Sequence, residues 1–356
     1  MRVGLIGCGF IAQKHVKTVA QFNELELIAV SDINQKKMGN ISSLYEETMG
    51  GNPSITFYQN YEQLLQDSRI DVVIIATISH LHAKMAKEAI RNEKHVIVEK
   101  PFSLSLQDAD DIFQLSQKGN KKVLVCHQLR YRPLLQRVKE LVDQEYFGEL
   151  FFGVISLRLN RTLDYYEKSS WKGTWEKDGG MLVNQGIHLI DLLVWIMGDV
   201  DSVYGELATK IKNKETEDIA AGIITFQNEA KGIIEANTVT QPKNLGYYLS
   251  IFGEKGSLCI GGKNFNEIDH CYVEGYPTLQ AELSTLQVDV TEHMRMYEDF
   301  MESITWNKNH LMNAEEGLKA LEVIFALYES TIKHQPVQLP LDDFSTIKMK
   351  GYDRRD

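Results

Sequence analysis

The chain opens with the residues Arg2-Val3-Gly4-Leu5-Ile6-Gly7-Cys8-Gly9-Phe10-Ile11-Ala12, and a second apolar run follows as Leu27-Ile28-Ala29-Val30-Ser31-Asp32. These stretches supply, in order, a short apolar strand, a Gly-x-Gly-x-x-Ala turn, a helical segment, a second strand and a terminal acid. This order is typical of a βαβ unit that binds a dinucleotide. A lone Gly-x-Gly also occurs in ordinary turns, so the prediction rests on the combination.

The small residues of the turn have separate physical roles. Gly7 allows a tight turn out of the first strand, Gly9 lets backbone N–H groups approach a pyrophosphate, and Ala12 permits close packing of helix on strand. We expect the helix that starts at Ile11 to direct its partial positive charge at the phosphates. The predicted cofactor contacts in this turn are therefore Gly7, Gly9, Phe10 and Ile11.

Asp32 identifies the expected dinucleotide. A carboxylate at the tip of the second strand accepts hydrogen bonds from the ribose hydroxyls and repels a 2′-phosphate. We therefore predict NAD as the cofactor in preference to NADP. The alternative is that Asp32 merely caps the end of the strand.

The composition limits the possible classes of protein. A length of 356 residues suggests about two domains. Contents of 43% hydrophobic and 24% charged residues are typical of a soluble globular chain. The net charge of -11 argues against binding to nucleic acid or to an anionic membrane.

The cysteines and the apolar segments give further expectations. The four cysteines have neither paired spacing nor a secreted framework, which favours a cytoplasmic protein, and we predict no metal site. The apolar start is short and broken by glycines, so we expect no signal peptide. Polar residues interrupt the apolar window 181–198, which makes a membrane span unfavourable.

The order of strands and helices predicts an α/β fold. Strand-like and helical stretches alternate over residues 1–126, which is typical of a doubly wound parallel sheet, a Rossmann domain that binds NAD. Buried strands are predicted at 71–77, 95–100 and 122–126. Ligands of such sheets bind outside the carboxyl ends of the strands.

The rest of the chain has a different pattern. Long strand-like stretches joined by short turns predict an α+β domain with a mostly antiparallel, open sheet, at 150–159, 202–211, 219–226, 232–239 and 247–252. Helices are predicted at 291–306 and 314–333. We assign residues 127–340 to substrate binding and oligomerisation and residues 341–356 to an irregular tail. An open sheet needs a cover, so we expect a homodimer or homotetramer.

Glu99-Lys100-Pro101 stands at the carboxyl end of a predicted buried strand, on the edge where the cofactor is expected. An ammonium group there could hold a substrate hydroxyl and direct its proton. Pro101 ends the strand. The alternative is a lysine that extends into solvent beside Glu99.

A second motif, Gly179-Gly180-Met181-Leu182-Val183-Asn184-Gln185-Gly186-Ile187-His188-Leu189-Ile190-Asp191, predicts a buried helix with one polar face. Asn184, His188 and Asp191 recur at steps of four and three, so they share that face. Polar groups are unfavourable in a core unless they find partners, so the face should line a wet cleft or form a network. His188 could exchange a proton near neutral pH, and Asp191 could orient it. The alternative is a core histidine with its hydrogen bonds satisfied.

Together, these motifs resemble the Gfo/Idh/MocA family of nicotinamide-dependent sugar and polyol oxidoreductases over nearly the whole chain. The resemblance implies that Lys100 lies near the nicotinamide and the substrate, and that His188 is the general base or acid. Many polyol-oxidising members carry Asp where this chain has Asn184, and a neutral amide cannot take a proton. The proton transfer should therefore depend on His188 and Lys100.

The resemblance also suggests a branch of the family. Asn184 occurs in members similar to nucleotide-sugar 3-dehydrogenases that act on UDP-N-acetylglucosamine-type or glucuronate-type substrates. The segments Gln128-Leu129-Arg130 and Trp171-Lys172-Gly173 resemble that branch too. Further cofactor contacts are implied at Thr77, His82 and Glu99, with Gln128 near the nicotinamide carboxamide.

Several other residues could contact the substrate. Arg130, Arg158, Arg161 and Lys172 could pair with a carboxylate or phosphate, and Trp171 or Trp175 could stack on a sugar. Basic residues on an exposed sheet face often have no ligand, and tryptophans often serve core packing. The predicted substrate contacts are Lys100, Arg158, Trp171, Asn184 and His188.

The sequence therefore predicts an enzyme that transfers a hydride between a secondary alcohol of a sugar or nucleotide sugar and nicotinamide. The resemblance alone implies C3 of a hexose as the reacting carbon. Two alternatives stay open: a dehydrogenase of inositol, another polyol or a free sugar, and a catalytically silent regulator that binds NAD.

Overall fold

The structure is a computed structural model that describes residues 1–51, 53–211, 213–287 and 291–352. It divides into two compact units. The first contains Met1–Cys126 and His293–Gly317, and the second contains His127–Glu292 and the chain from Leu318 on. The sequence prediction had placed residues 293–317 in the second domain and had treated residues 341–356 as a separate tail.

The first unit is built on a parallel sheet of six strands in the order β3-β2-β1-β4-β5-β6. Its elements are β1 (Arg2–Ile6), α1 (Ala12–Val19), β2 (Glu26–Ser31), α2 (Gln35–Met49), β3 (Thr56–Tyr58), α3 (Tyr61–Gln66), β4 (Val72–Ile75), α4 (Ser79–Arg91), β5 (His95–Val98), α5 (Leu106–Gly119) and β6 (Val123–Val125). The continuous apolar runs are buried because helices cover both faces of the sheet. The predicted Rossmann fold is confirmed.

The strand order places the motifs of this unit along one edge. β1 lies between β2 and β4, so the direction of winding reverses at β1, and the crevice at that point is where such sheets bind ligands. The carboxyl ends of β1, β2, β4 and β5 lead into Gly7, Asp32, Thr77 and Lys100 respectively.

The second unit contains a separate mixed sheet of eight strands in the order β13-β12-β11-β7-β10-β9-β8-β14. Its strands are β7 (Leu150–Arg158), β8 (Val200–Ala208), β9 (Ile219–Phe226), β10 (Lys231–Asn237), β11 (Gly246–Gly253), β12 (Gly256–Gly261), β13 (Glu267–Val273) and β14 (Val337–Gln338). Only β7 and β10 pair in parallel within this described sheet. The sheet is therefore mostly antiparallel, as predicted.

The helices of this part of the chain are α6 (Pro133–Asp143), α7 (Leu163–Glu167), α8 (Ile187–Met197), α9 (Leu279–Leu286), α10 (Glu292–Thr305) and α11 (Ala314–Lys333). α8 packs on one face of the eight-stranded sheet at Gly153 of β7. A Cβ atom at Gly153 would lie 2.7 Å from the Leu193 side chain, so glycine allows this close approach.

The end of the described chain is packed. β14 pairs with β8, and Phe344 and Thr346 are buried beside a short 3₁₀ turn, Thr346–Met349. This packing could not be predicted because isolated apolar residues show no helical or strand period. Among the described helices, none is both long enough and apolar enough to cross a bilayer.

Candidate active site

The glycine-rich turn after β1 has the shape that a pyrophosphate requires. Gly7 has a φ of +90°, and a Cβ atom there would lie 2.6 Å from the carbonyl oxygen of Ala76, so only glycine fits. A Cβ at Gly9 would meet no atom within 4 Å, which leaves the backbone open to a ligand. The first turn of α1 carries no acidic side chain. Its N–H groups are therefore suited to an anion, and the residues present fit the cofactor.

Asp32 is fixed beside this turn. One of its carboxylate oxygens accepts a hydrogen bond from the backbone N–H of Cys8 at 2.8 Å, and the other accepts from Asn34 at 2.8 Å. Burial, and then the charge of Asp32, raise the pKa of the Cys8 thiol to about 12, so this thiol stays neutral. Phe10 and Ile33 are 89% and 93% exposed, so both are large apolar side chains open to a ligand, and Ile33 directly follows Asp32.

Thr77 and His82 follow β4. The hydroxyl of Thr77 donates to the Met85 sulfur at 3.6 Å. His82 is buried, and its ring nitrogens lie 2.8 Å from the carbonyl oxygen of Pro101 and 3.1 Å from that of Thr77. Burial lowers the pKa of His82, so its ring is neutral and donates through one nitrogen only. The shorter contact favours Nδ1 as this donor, with the Pro101 carbonyl oxygen as the acceptor. His82 thus supports the turn after Lys100.

Glu99 is buried at the end of β5. It accepts a hydrogen bond from the His15 ring at 2.9 Å and one from the backbone N–H of Lys100 at 3.2 Å. His15 in turn lies 2.6 Å from the Tyr297 hydroxyl. Neither His15 nor Tyr297 was singled out from the sequence, because they stand far from the Glu99-Lys100-Pro101 motif in the chain.

The polar helix of the second unit begins with a distortion that the sequence did not predict. Leu182–Gly186 form a π-helical turn that continues into α8. Gly180 precedes the turn with a φ of +108°, and a Cβ atom there would lie 2.6 Å from the Glu217 carboxylate. Such π turns are frequent at functional sites.

Asn184, on this π turn, is held by a buried acid. Its side-chain Nδ2 donates to one oxygen of Asp178, and the backbone N–H of Gly173 donates to the other oxygen at 2.7 Å. This bond fixes the orientation of the amide, with its carbonyl oxygen as the acceptor end. Asp178 is a residue that the sequence analysis missed.

Asp191 has a different principal partner from the predicted one. Its two oxygens accept hydrogen bonds from the Arg130 guanidinium at 2.9 and 2.7 Å, and all of these groups are buried. Burial opposes the charge on Asp191, but Arg130 and then His127 lower its pKa well below its usual value. The ring of His127 lies 3.5 Å from Asp191 and packs edge-on against His188, with ring centres 5.6 Å apart.

Asp191 neutralises the Arg130 guanidinium, and the His127 ring lies near both Asp191 and His188. The neighbouring Gln128 opens a short 3₁₀ helix, Gln128–Tyr131, and is half-buried. His188 is half-buried as well, whereas Asp191 is 1% exposed.

A cationic group lies around Tyr165. The ammonium of Lys172 is 4.0 Å from the centre of the Tyr165 ring, and the guanidinium of Arg161 is 5.1 Å from it. Gln185, next to Asn184, donates to the Tyr165 hydroxyl at 3.2 Å. Burial lowers the pKa of Lys172, although Asp178 opposes this. We call Arg161, Tyr165 and Lys172 the cationic cluster.

The two tryptophans differ in position. Trp171 is half-buried, and its ring centre lies 5.9 Å from the Lys172 ammonium. Trp175 is buried and packs edge-on against Tyr328, with ring centres 5.3 Å apart. Trp175 is therefore a core residue, while Trp171 stays a candidate for substrate contact.

Arg158, predicted as a substrate contact, forms an ion pair on the second sheet. It lies on β7, where Gly153 faces α8, and the alternation of a strand places Arg158 on the opposite face from the helix that carries His188. Its guanidinium donates to both oxygens of Glu235 at 2.8 and 2.6 Å. The charge of Arg158 is thus already neutralised on the far face of the sheet.

Two family models match the chain. One is described as an oxidoreductase family with an NAD-binding Rossmann fold and matches residues 1–127. The other is described as a GFO/IDH/MocA C-terminal domain and matches residues 135–259. The chain belongs to the Gfo/Idh/MocA oxidoreductase family. Its first unit is accordingly an NAD-binding Rossmann domain of that family.

Several solved and curated proteins resemble the chain over most of its length. The WlbA dehydrogenase of Chromobacterium violaceum, solved in complex with NADH and UDP-GlcNAcA, is 31% identical, with a TM-score of 0.87 and 96% of each chain covered. The glucose-6-phosphate 3-dehydrogenase of Bacillus subtilis is 24% identical over 95% of this chain and 98% of its own. The myo-inositol 2-dehydrogenase of Thermotoga maritima is 24% identical over 72% of this chain and 74% of its own.

Proposed function

We propose that this Gfo/Idh/MocA protein is an NAD-dependent dehydrogenase that oxidises a secondary alcohol of a negatively charged sugar, such as a nucleotide sugar, at C3 of a hexose. The observation that carries the proposal is the link between the cationic cluster and the polar helix. Gln185 binds Tyr165, and Asn184 binds Asp178 beside Lys172, so a polar helix face and two cations share one network.

The choice of substrate follows from charge. The cations Arg161 and Lys172 favour a ligand with a phosphate or carboxylate over a neutral polyol. The relatives that support this choice are the WlbA dehydrogenase, solved with UDP-GlcNAcA, and the glucose-6-phosphate 3-dehydrogenase. The inositol 2-dehydrogenase supports the second candidate, a polyol dehydrogenase of the same fold.

The cofactor assignment follows from the first unit. Gly7 to Ile11 would bind the pyrophosphate, and Asp32 would accept hydrogen bonds from the ribose and disfavour a 2′-phosphate. The exposed Ile33 offers an apolar surface beside the ribose position for a base. When bound, NAD supplies the acceptor for the hydride that leaves the sugar carbon.

The protein side chains have separate roles in this proposal. His188 takes the proton of the sugar hydroxyl. Lys100 stabilises negative charge that develops during the reaction by donating a hydrogen bond. The carbonyl oxygen of Asn184 accepts a hydrogen bond from a neighbouring hydroxyl and so orients the ring. Thr77, Glu99 and Gln128 are proposed to lie near the cofactor, and Trp171 near the sugar.

The test is a turnover assay with NAD or NADP and a panel of UDP-sugars, uronates, hexose phosphates and inositol, read by absorbance of the reduced cofactor. We expect turnover with NAD and an anionic sugar. His188→Ala and Lys100→Ala should each lower kcat by about 10²–10⁴-fold with little change in NAD affinity. Arg158→Gln is the matched control and should leave turnover unchanged, because Arg158 lies on the opposite sheet face from α8.

Other outcomes would favour the alternatives. Inositol oxidation in the absence of turnover with anionic sugars would support the polyol dehydrogenase. NAD binding without turnover across the whole panel would support a silent regulator.

The four cysteines are free thiols, which supports the proposal that the protein works in the reducing cytoplasm.

A further inference from the structure

A buried chain of hydrogen bonds in the first unit ends at the residue before Lys100. It starts at Tyr297 on α10, passes through His15 on α1 and reaches Glu99 after β5. His15 and Tyr297 are fully buried. The second oxygen of Glu99 accepts from the Lys100 backbone at 3.2 Å. Three separate elements thus converge on the strand end that carries the proposed active-site lysine.

The donor and the acceptor of each hydrogen bond in this series can be assigned from the surrounding groups. Burial opposes the charge on Glu99, but the hydrogen bond from His15 and the charges nearby lower its pKa to about 2, so the carboxylate is ionised and can only accept. His15 must therefore donate through Nε2. Burial raises the pKa of Tyr297 well above its usual value, so its hydroxyl keeps its proton and can donate to Nδ1 of His15.

Several titratable groups face Glu99, and Lys100 is the lysine among them. The titratable groups that face Glu99 are His15 from α1, His82 from α4, Lys100 after β5, Cys126 after β6, and His293 and Tyr297 from α10. Burial lowers the pKa of His293 to about 3 and raises that of Cys126 well above its usual value, so both are neutral. Besides His15, which acts most strongly on Glu99, the Lys100 ammonium also lowers the pKa of this carboxylate.

We infer that Glu99 is a positioning residue for Lys100, and that His15 and Tyr297 hold Glu99 in place for this purpose. A fixed, buried carboxylate favours the charged form of a neighbouring amine and directs it. Lys100 would then act as a hydrogen-bond donor and not as a base, which leaves proton removal to His188. This inference rests on the proposed function for the role of Lys100, although the charge of Lys100 can be measured without turnover.

A metal ion is the competing explanation of the same cluster. Ligand atoms of His15, Glu99 and His293 lie within 4.8 Å of one another. A tetrahedral zinc ion would hold its ligand atoms about 3.3 Å apart, whereas His15 and Glu99 are at the hydrogen-bond distance of 2.9 Å. Thr18 donates to the Lys14 carbonyl at 3.0 Å and lies 3.1 Å from His293 Nδ1, so it accepts a hydrogen bond from that ring. Direct hydrogen bonding explains the shorter distance better than a shared ion.

The first experiment measures the charge of Lys100 directly. Protein labelled with ¹³Cε-lysine is titrated by NMR with NAD present, and Lys100→Arg identifies the signal. In Glu99→Gln the Lys100 midpoint should fall by about one pH unit, because removal of the anion removes the stabilisation of the ammonium. The high-pH limb of kcat/KM should move by the same amount. An unchanged Lys100 midpoint would overturn the inference even if no substrate is found.

The second experiment separates positioning from simple packing. His15→Gln keeps an N–H donor, and His15→Leu removes it. We expect His15→Leu to lower kcat at least tenfold with less than a threefold change in the KM for NAD, and His15→Gln to stay within threefold of the parent. If His15→Leu does not fold, Tyr297→Phe should lower kcat two- to fivefold with the same KM. Equal damage in both His15 variants, or stoichiometric zinc that is lost in His15→Leu, would refute the inference.

Discussion

The side-chain nitrogen of Asn184 determines which residue type fits beside the buried Asp178. Its Nδ2 donates to the buried Asp178, so an aspartate at position 184 would place two carboxylates side by side. Like charges in such a site cannot both ionise, and the pair shares one proton. The neutral amide therefore fits its acidic neighbour, and this explains a departure from the polyol-oxidising pattern.

We predict that Asn184→Asp lowers kcat/KM about tenfold or more at pH 7. The pair has a raised pKa, so the loss relative to the parent should be small at low pH and should grow as the pH rises and the shared proton leaves. The measurement is the pH profile of kcat/KM. The double variant Asn184→Asp with Asp178→Asn restores one donor and one acid and should recover part of the loss. An Asn184→Asp variant that matches or exceeds the parent across the pH range would contradict this account.

At the residue scale, motifs give candidate reactive groups but not the partners of these groups. The glycine turn, Asp32, Lys100 and His188 could be named because each belongs to a local pattern with a physical purpose. The partners of Asp191 could not be predicted, since Arg130 and His127 come from another segment and only folding brings them to the carboxylate. The ion pair of Arg158 with Glu235 could not be predicted either, because a charged residue on a strand does not by itself indicate its cross-strand partner.

At the element scale, the π turn at Leu182–Gly186 depends on a buried acid. Glu217 accepts hydrogen bonds from the Leu182 backbone at 2.9 Å and from the Tyr328 hydroxyl at 2.7 Å, both through one oxygen. Within the described residues, its other oxygen has no hydrogen-bond partner. Burial raises the pKa of Glu217 from 4.5 to about 7, against the opposing effect of these hydrogen bonds.

We predict that Glu217→Gln reduces a pH-dependent loss of stability. A carboxyl group with a raised pKa contributes stability that is present below its unfolded pKa of 4.5 and is lost as the pH rises through about 7. The parent should therefore lose up to about 3 kcal/mol between pH 5 and pH 8, and Glu217→Gln should lose less. Thermal unfolding of both proteins at the two pH values measures this.

The control for this prediction is the same substitution at the exposed Glu176, which should leave the pH dependence unchanged. An identical pH dependence of the parent and Glu217→Gln would show that Glu217 keeps an ordinary pKa.

The sequence could predict a helix after Gly180 but not its π turn. In this turn the Leu182 backbone donates to Glu217, which also accepts from Tyr328, and both of these residues lie far along the chain.

At the scale of the whole molecule, the class of each unit could be predicted but not every boundary. Apolar strands that alternate with helices define a parallel sheet from local signals alone. The periodic pattern of α10 predicts a helix, but it does not indicate which sheet the helix covers. Residues 293–317 therefore joined the first unit against expectation, and they bring Tyr297 and His293 to Glu99.

The far face of the eight-stranded sheet leads to the last prediction. Ile223 on β9, Ile233 on β10 and Val154 on β7 are register neighbours, so they form an apolar row on the face opposite α8. Ile223 is 49% exposed, and Phe252 on the same sheet is 36% exposed. An extended apolar row is unusual on a monomer and typical of an interface, so we propose that copies of the chain associate through this face.

We predict a dimer or tetramer for the parent and a smaller assembly for Ile223→Lys, because a buried, unpaired ammonium at the interface is unfavourable. Light scattering after size-exclusion chromatography measures the mass of each. Ile347→Lys is the matched control, since Ile347 is 45% exposed but lies on a 3₁₀ turn outside the sheet. A monomeric parent, or equal dissociation of the two variants, would mean that the sheet face is not the interface. Retained turnover in a dissociated Ile223→Lys would further show that one chain suffices for catalysis.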